Sequence, residues 1–428
     1  MPVSRERDID IVLFGATGFV GRLTARHLAE HAPSGVRVAL AGRSLERLEA
    51  LRTDLGWAGA DWPLLVVDAS DEQALADLAA RTRVLVTTVG PYARHGLPLV
   101  RACAEAGTDY CDLTGEVLFV HRSIAASHAT AQATGARIVH SCGFDSVPSD
   151  LGVLLCAQAA AADGAELGRT HLAVRRMRGG FSGGTVDSFR NQALETRSDP
   201  ALRSVVDDPW ALAEGGRPAR PPRSARPDGG AGGGAAGALA RVTKASPVRR
   251  EKGSDHFTGP FFMAGFNTRI VARSASLLGY GEGFRYSEYT DYGPGLRGAI
   301  TAGAVSAGLL AGLAGMGHRP TRSIIDRVLP APGEGPSEET MASGRFRMEV
   351  TAEASNGRRY RSTVAAPYDP GYTGTAVMLG QSALALAQED AGLPEVAGVL
   401  TPATALGTPL VERLRAHDFS LEVERLED

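Results

Sequence analysis

The chain has 428 residues, a formal net charge of −3 and four cysteines. That length implies about two or three domains, and a near-neutral balance with a pI near 6.4 gives no electrostatic case for a nucleic-acid partner. Cys103, Cys111, Cys142 and Cys156 lie in apolar surroundings without CxxC spacing, which argues against a zinc site or a secreted disulfide scaffold and for a reducing cytosol. Met1 to Arg7 lacks the apolar core of a signal peptide.

The first element is a short apolar strand, Ile9 to Phe14, that runs into glycines spaced three apart and then a helix. Gly15 allows the tight turn, Gly18 lets backbone N–H groups approach a pyrophosphate, and Gly21 lets the helix pack close on the strand. Thr17, Phe19 and Val20 belong to the same phosphate-binding turn. A second strand, Val36 to Ala41, closes a βαβ unit of the expected length. It ends in Ala41-Gly42-Arg43-Ser44, where an NAD site usually places a carboxylate. Arg43 offers a forked pair to a 2′-phosphate and Ser44 a hydroxyl, so the expected cofactor is NADPH; the plain alternative is that both residues begin a solvated helix.

The alternation continues with strands at Leu64 to Val67, Val84 to Val89, Tyr110 to Leu113 and Arg137 to Ser141. Helices follow at Glu72 to Ala80, Leu97 to Ala106, Val117 to Ala133 and Asp150 to Ala162. The expected fold class is α/β, an N-terminal Rossmann doubly wound parallel sheet with a second α+β domain on a mixed sheet. Ligands bind beyond the carboxyl ends of such strands. Asp68 then falls near the adenine, and Val89, Gly90, Pro91 and Tyr92 near the nicotinamide.

Past residue 165 the pattern loosens. Thr170 to Met177 reads as a strand, Gly183 to Leu194 as a helix and Pro209 to Leu212 as a turn. Glu214 to Ala238, rich in Gly, Pro, Ala and Arg and devoid of aromatics, reads as a mobile loop. Phe257 to Ala272, Arg345 to Glu353 and Arg359 to Ala365 read as strands, and Gly371 to Ala387 as a helix. Ala299 to Met316 is uncharged but mostly Ala and Gly. It reads as a buried or interface helix, as a surface helix touching lipid or an acyl substrate, or as a membrane span. The expected division is a nucleotide-binding domain over 1–165, completed by C-terminal helices in 371–428, and a substrate and dimerisation domain over 166–370.

Two further clusters sit at strand ends, Tyr110-Cys111-Asp112-Leu113-Thr114-Gly115-Glu116 and Gly143-Phe144-Asp145-Ser146-Val147-Pro148-Ser149-Asp150. By themselves they suit helix starts. Together with Gly15 to Gly21, Ala41-Gly42-Arg43, Gly90-Pro91-Tyr92, Asp369-Pro370-Gly371-Tyr372, Met378-Leu379, Ser382-Ala383-Leu384 and Leu400-Thr401-Pro402-Ala403, they resemble the saccharopine dehydrogenase-like oxidoreductases. Within these, the resemblance is to the bacterial trans-acting enoyl reductases.

That resemblance implies NADPH-dependent reduction of an α,β-double bond on an acyl chain held by a separate polyketide or lipid synthase. A small-molecule or carrier-bound acyl substrate, a polyketide synthase partner, a homodimer and peripheral membrane or lipid contact are the associated expectations. A C–N oxidoreductase acting on an imine or amino acid, and a non-catalytic NADP-binding accessory protein, are the competing readings. Tyr92 is the first candidate proton donor, against a role as a packing lid over the cofactor. Asp145 is the second, against a role in capping the turn before Pro148. Backbone N–H groups around Gly90 or Gly143 are candidate donors to the thioester oxygen. His95 and His140 read as ordinary polar residues near strand ends.

Overall fold

A computed structural model describes residues 7–179, 188, 191–192, 194–196, 199–216, 248–251, 254–315, 336–388 and 390–427. The predicted helix start at 183–187, the Gly/Pro/Arg-rich residues 217–238 and Met316 lie outside that set.

The chain opens with β1 (Ile9–Phe14), α1 (Phe19–His31), β2 (Val38–Gly42), α2 (Leu45–Asp54), β3 (Leu64–Val66), α3 (Glu72–Arg81), β4 (Thr82–Thr87), α4 (Tyr92–Ala106), β5 (Asp109–Asp112), α5 (Val117–Thr134) and β6 (Arg137–Val139). β1 and β2 are apolar and buried along their whole length, as parallel strands covered on both faces must be. α6 (Val147–Ala162) leads to β7 (Leu167–Arg178), α7 (Pro200–Asp207), β8 (Arg249–Arg250), β9 (His256–Pro260), α8 (Ala264–Leu278), β10 (Arg285–Pro294) and α9 (Gly295–Gly315). Then come α10 (Glu338–Ala342), β11 (Arg345–Ala354), β12 (Arg359–Ala366), α11 (Thr375–Ala387), β13 (Gly398–Leu400), α12 (Pro402–Ala405), α13 (Gly407–Arg415) and β14 (Ser420–Leu426).

Among the described residues two seven-stranded sheets form. The first, ordered β13-β6-β5-β4-β1-β2-β3, is parallel throughout, the doubly wound Rossmann order with one added edge strand. The second, ordered β14-β12-β11-β7-β10-β9-β8, is mixed: β7 and β10 run parallel and the other pairs antiparallel. α6 is apolar on nearly every side and buried because it packs on β11 and β12 while α8 and α12 cover it. Every residue of α11 is buried between α1, α13 and strands β4 and β5.

Four expectations change. The predicted strand Phe257 to Ala272 ends at Pro260, and its second half belongs to α8. Phe266, Ile270 and Ser274 recur at four-residue spacing on its buried side, a helical period hidden because Asn267, Arg269 and Arg273 are polar yet buried too. β10 and the two C-terminal strands have no counterpart in the sequence reading. Residues 371–428 serve both sheets, since β13 pairs with β6 whereas β14 pairs with β12. The span reading of 299–316 fails, because among the described residues no helix is long and apolar enough to cross a membrane. α9 buries Ala302 and Ser306, packs on β9 and β10, and exposes Leu296, Ile300 and Val305.

Candidate nucleotide and active site

The carboxyl ends of β1, β2 and β4 surround a cleft of about 790 Å³ lined by Gly15, Thr17, Gly18, Phe19, Gly42, Arg43, Asp68, Val89 and Gly90. Gly15 has a φ of +85°, and a Cβ there would meet Thr88 Oγ1 at 2.7 Å and Val89 Cγ2 at 2.8 Å. At Gly21 a Cβ would stand 2.2 Å from the Gly15 carbonyl oxygen, so any side chain drives α1 away from the loop. No side chain caps α1 at Gly18 and no acidic residue occupies its first turn. The N–H groups of that turn, Val20 included, have no side-chain cap, as a phosphate cradle requires. The residues therefore fit a dinucleotide pyrophosphate.

Arg43 is exposed at the rim, makes no hydrogen bond or ion pair with the described residues, and shares the cleft with Arg22 and Arg47. Ser44 caps α2, accepting from the Arg47 N–H at 3.3 Å. Its own O–H hydrogen is thereby left free to donate. Asp68 accepts from the Ser70 N–H and hydroxyl at 2.8 and 2.7 Å, which holds its carboxyl below the usual range. His95, read from the sequence as an ordinary polar residue, also lines the cleft, one turn into the helix that follows Gly90.

Tyr92 turns away from the cleft. Its hydroxyl donates to the Thr87 carbonyl at 3.0 Å and accepts from the Leu113 N–H at 3.4 Å, its ring stacks on Phe119, and it is 4% exposed. The geometry makes it an anchor between β4 and β5 rather than a group that faces substrate. Pro91 caps the same helix. Glu116, which the sequence singled out only as a helix start, puts its carboxylate on the Tyr92 and Ala93 N–H groups at 3.0 and 2.7 Å. Burial pushes its carboxyl up.

The Tyr110 to Glu116 cluster also contains a buried relay. Asp112 Oδ2 lies 2.7 Å from His140 Nδ1, and His140 Nε2 lies 2.7 Å from Ser123 Oγ. The spacing matches a hydrolase triad, but all three side chains have 0% exposure, so no substrate reaches the hydroxyl. Asp112 also accepts from the Thr114 and Ser141 N–H groups. The network pins β5, β6 and α5 together.

Asp145 differs from all of these. It follows β6, on the side of β4 and β5 away from the adenine half, with its Oδ2 beside Gly115 and Met263 across the same glycine. Among the described residues no group donates to its carboxyl. Asp145 is half-buried, and desolvation of its carboxyl pushes its pKa up to about 7. The backbone around it is held firmly. Ser146 Oγ donates to Asn267 Oδ1 at 3.3 Å, and Asn267 Nδ2 donates to Ser149 Oγ and Glu288 Oε2 at 3.2 and 3.1 Å. Asp150 accepts from the Ala403 N–H at 2.8 Å and from Ser274. Next to Gly143, the Phe144 N–H donates to Thr375 Oγ1 at 3.1 Å and so is not free for a thioester oxygen.

Residues 11–139 match the saccharopine dehydrogenase NADP binding domain. Trans-acting enoyl reductases of Mycobacterium tuberculosis (strain H37Rv) and Mycobacterium ulcerans (strain Agy99) are 46% and 44% identical, covering 98% and 99% of this chain and 99% of each relative. The chain belongs to the trans-acting enoyl reductase family. The solved saccharopine dehydrogenase (L-Glu forming) of Saccharomyces cerevisiae shares the fold, with a TM-score of 0.51 at 13% identity over 98% of this chain and 100% of that one.

This member of the enoyl reductase family is thus an NADP-dependent oxidoreductase. Sequence reasoning missed Asn267 and Glu288, which support the Asp145 loop from α8 and β10; only the pairing of the second sheet brings them there. Tyr92→Phe in this reductase is expected to retain turnover while lowering stability by about 1–3 kcal/mol, because the buried Thr87 carbonyl loses its donor. Urea denaturation beside steady-state kinetics checks both halves, and lost turnover in a folded variant returns Tyr92 to the chemistry.

Proposed function

We propose that the protein reduces the α,β-double bond of an enoyl thioester presented by a separate polyketide or lipid synthase. The observation that carries this reading is the environment of Asp145: a carboxyl raised by burial, with no cation among the described residues close enough to act on it. A dicarboxylate amino acid would need cationic partners, whereas an acyl thioester needs an apolar wall and one proton donor. The names of the full-length relatives support the same substrate class.

NADPH, when bound, supplies the hydride to the β-carbon. Gly15, Thr17, Gly18, Phe19 and Val20 would hold its pyrophosphate, Arg43 and Ser44 its 2′-phosphate, Asp68 its adenosine half, and Val89 and Gly90 would border the nicotinamide. Asp145 delivers the proton to the α-carbon, is left as carboxylate, and recovers a proton from water. Asn267, Ser146 and Ser149 keep its loop in register with the second sheet, so the acid is positioned before substrate arrives.

Full-length protein mixed with NADPH and an enoyl N-acetylcysteamine thioester is expected to yield NADP and the saturated thioester, read by absorbance and mass. Oxidation only with a keto acid and an amine overturns the reading in favour of C–N chemistry. Binding of NADPH without oxidation by either acceptor overturns it in favour of an accessory role.

A further inference from the structure

Away from the nucleotide cleft, α1 carries His27 and His31 one turn apart, and the segment between α13 and β14 brings His417 against them. Ring centroids lie 4.4 Å apart for His27 and His31, 5.4 Å for His27 and His417, and 4.8 Å for His31 and His417. One ligand nitrogen from each lies within 4.8 Å of the others.

The hydrogen bonds show which nitrogens carry lone pairs. His31 Nδ1 lies 3.0 Å from the His27 carbonyl and His417 Nδ1 lies 2.8 Å from the Arg413 carbonyl. A carbonyl only accepts, so both Nδ1 atoms carry hydrogen, and each neutral ring keeps its lone pair on Nε2. Gln381 gives the same answer for His417 and extends it to His27. The Arg413 guanidinium, which only donates, bonds Gln381 Oε1 at 3.1 Å. The Gln381 amide nitrogen therefore faces His27 Nε2 at 2.8 Å and His417 Nε2 at 3.1 Å, and both must accept. Burial, reinforced by the neighbouring rings, pushes the His27 pKa down to about 3.

We propose that His27, His31 and His417 form a binding site for a divalent transition metal of the zinc class, entered from the solvent side at His31. Three imidazoles at this spacing, two of them with the second nitrogen pinned to a backbone carbonyl, have the ligand type and outer-shell support such metals take. The separation of four residues on one helix face recurs in helical zinc sites. An all-nitrogen set disfavours magnesium and calcium. Gly380 makes the room, since a Cβ there would stand 2.5 Å from His27 Cδ2. His31 is exposed and His417 half-buried, which gives the ion a path, and on the His27 and His417 Nε2 atoms the ion would take the place of the Gln381 amide donor. The bound ion would tie the far end of the nucleotide-binding helix to the segment entering the last strand of the second sheet.

Among the described residues the other cluster of this kind, Glu251, His256 and Asp291, is already occupied by an arginine. Arg175 reaches Glu251 and Asp291 at 2.8 Å and Glu349 at 3.0 Å.

Calorimetric titration of the full chain with zinc chloride near neutral pH is expected to show one saturable equivalent, with a rise in Tm. His31→Ala and His417→Ala change side chains that reach solvent, and each is expected to weaken binding about tenfold or more, leaving NADPH affinity and the circular dichroism spectrum unchanged. Absence of saturable zinc binding, or binding that both variants leave intact, overturns the proposal.

Discussion

Asparagine in place of Asp145 is expected to lower kcat by about 10²–10⁴-fold, the range that a positioned general acid supplies, with little change in NADPH affinity. The wild-type rate at saturating substrate is expected to fall as pH rises through about 7, where Asp145 gives up its proton, and the residual rate of Asp145→Asn to lose that dependence. Wild-type stability falls in the same direction as pH rises. Because the folded pKa is raised above the ordinary carboxyl value near 3.9, ionisation opposes folding; the penalty is absent below about 4 and complete above about 7. Asp145→Asn is therefore expected to melt higher than wild type at pH 8, with a gain that shrinks as pH falls towards 4. A folded variant with full turnover and an unshifted profile would remove Asp145 from the chemistry. Loss of turnover together with a lower Tm would point to damage instead of a missing acid.

Arg43→Ala is expected to raise the KM for NADPH by roughly 10- to 100-fold, the loss of one charge-assisted phosphate contact of about 1.5–3 kcal/mol. The KM for NADH is expected to change little. Arg43 makes no hydrogen bond or ion pair with the described residues, acting on Asp68 only through its charge, and stands at the rim of the cleft, so its removal breaks no hydrogen-bond network. Arg22 and Arg47 line the same cleft and keep part of the attraction for the phosphate, which limits the loss. Steady-state kinetics with both cofactors decides the matter. Equal losses with NADPH and NADH would remove Arg43 from 2′-phosphate recognition.

The nucleotide half was legible because its causes are local. An apolar strand, three glycines and an amphipathic helix each state their conformation within a few residues, and Arg43 follows at a spacing that the βαβ unit sets. Arg345 to Ala354 and Arg359 to Ala366 alternate cleanly and so announced themselves as strands. β10 did not. Its Arg285-Tyr286-Ser287-Glu288-Tyr289 run buries the carboxylate of Glu288, and a buried acid reads as surface until its partners Tyr286 and Asn267 are known. α8 hid for the same reason, since Asn267, Arg273 and Ser274 are polar yet buried. Tyr92 had the right address in sequence and the wrong direction in space, because its hydroxyl is claimed by the backbone of β4 and β5. His27, His31 and His417 come together only when the C-terminal segment returns to α1.

The edge strand β13 has a consequence for synthesis. It pairs with β6 across a gap of some 260 positions, Leu400 against Val139. While the ribosome is still making that interval, the nascent first half presents an uncovered apolar border, and the helix that seals its face has yet to emerge. Production of this reductase should accordingly be most vulnerable to self-association late in elongation, before the closing elements can dock.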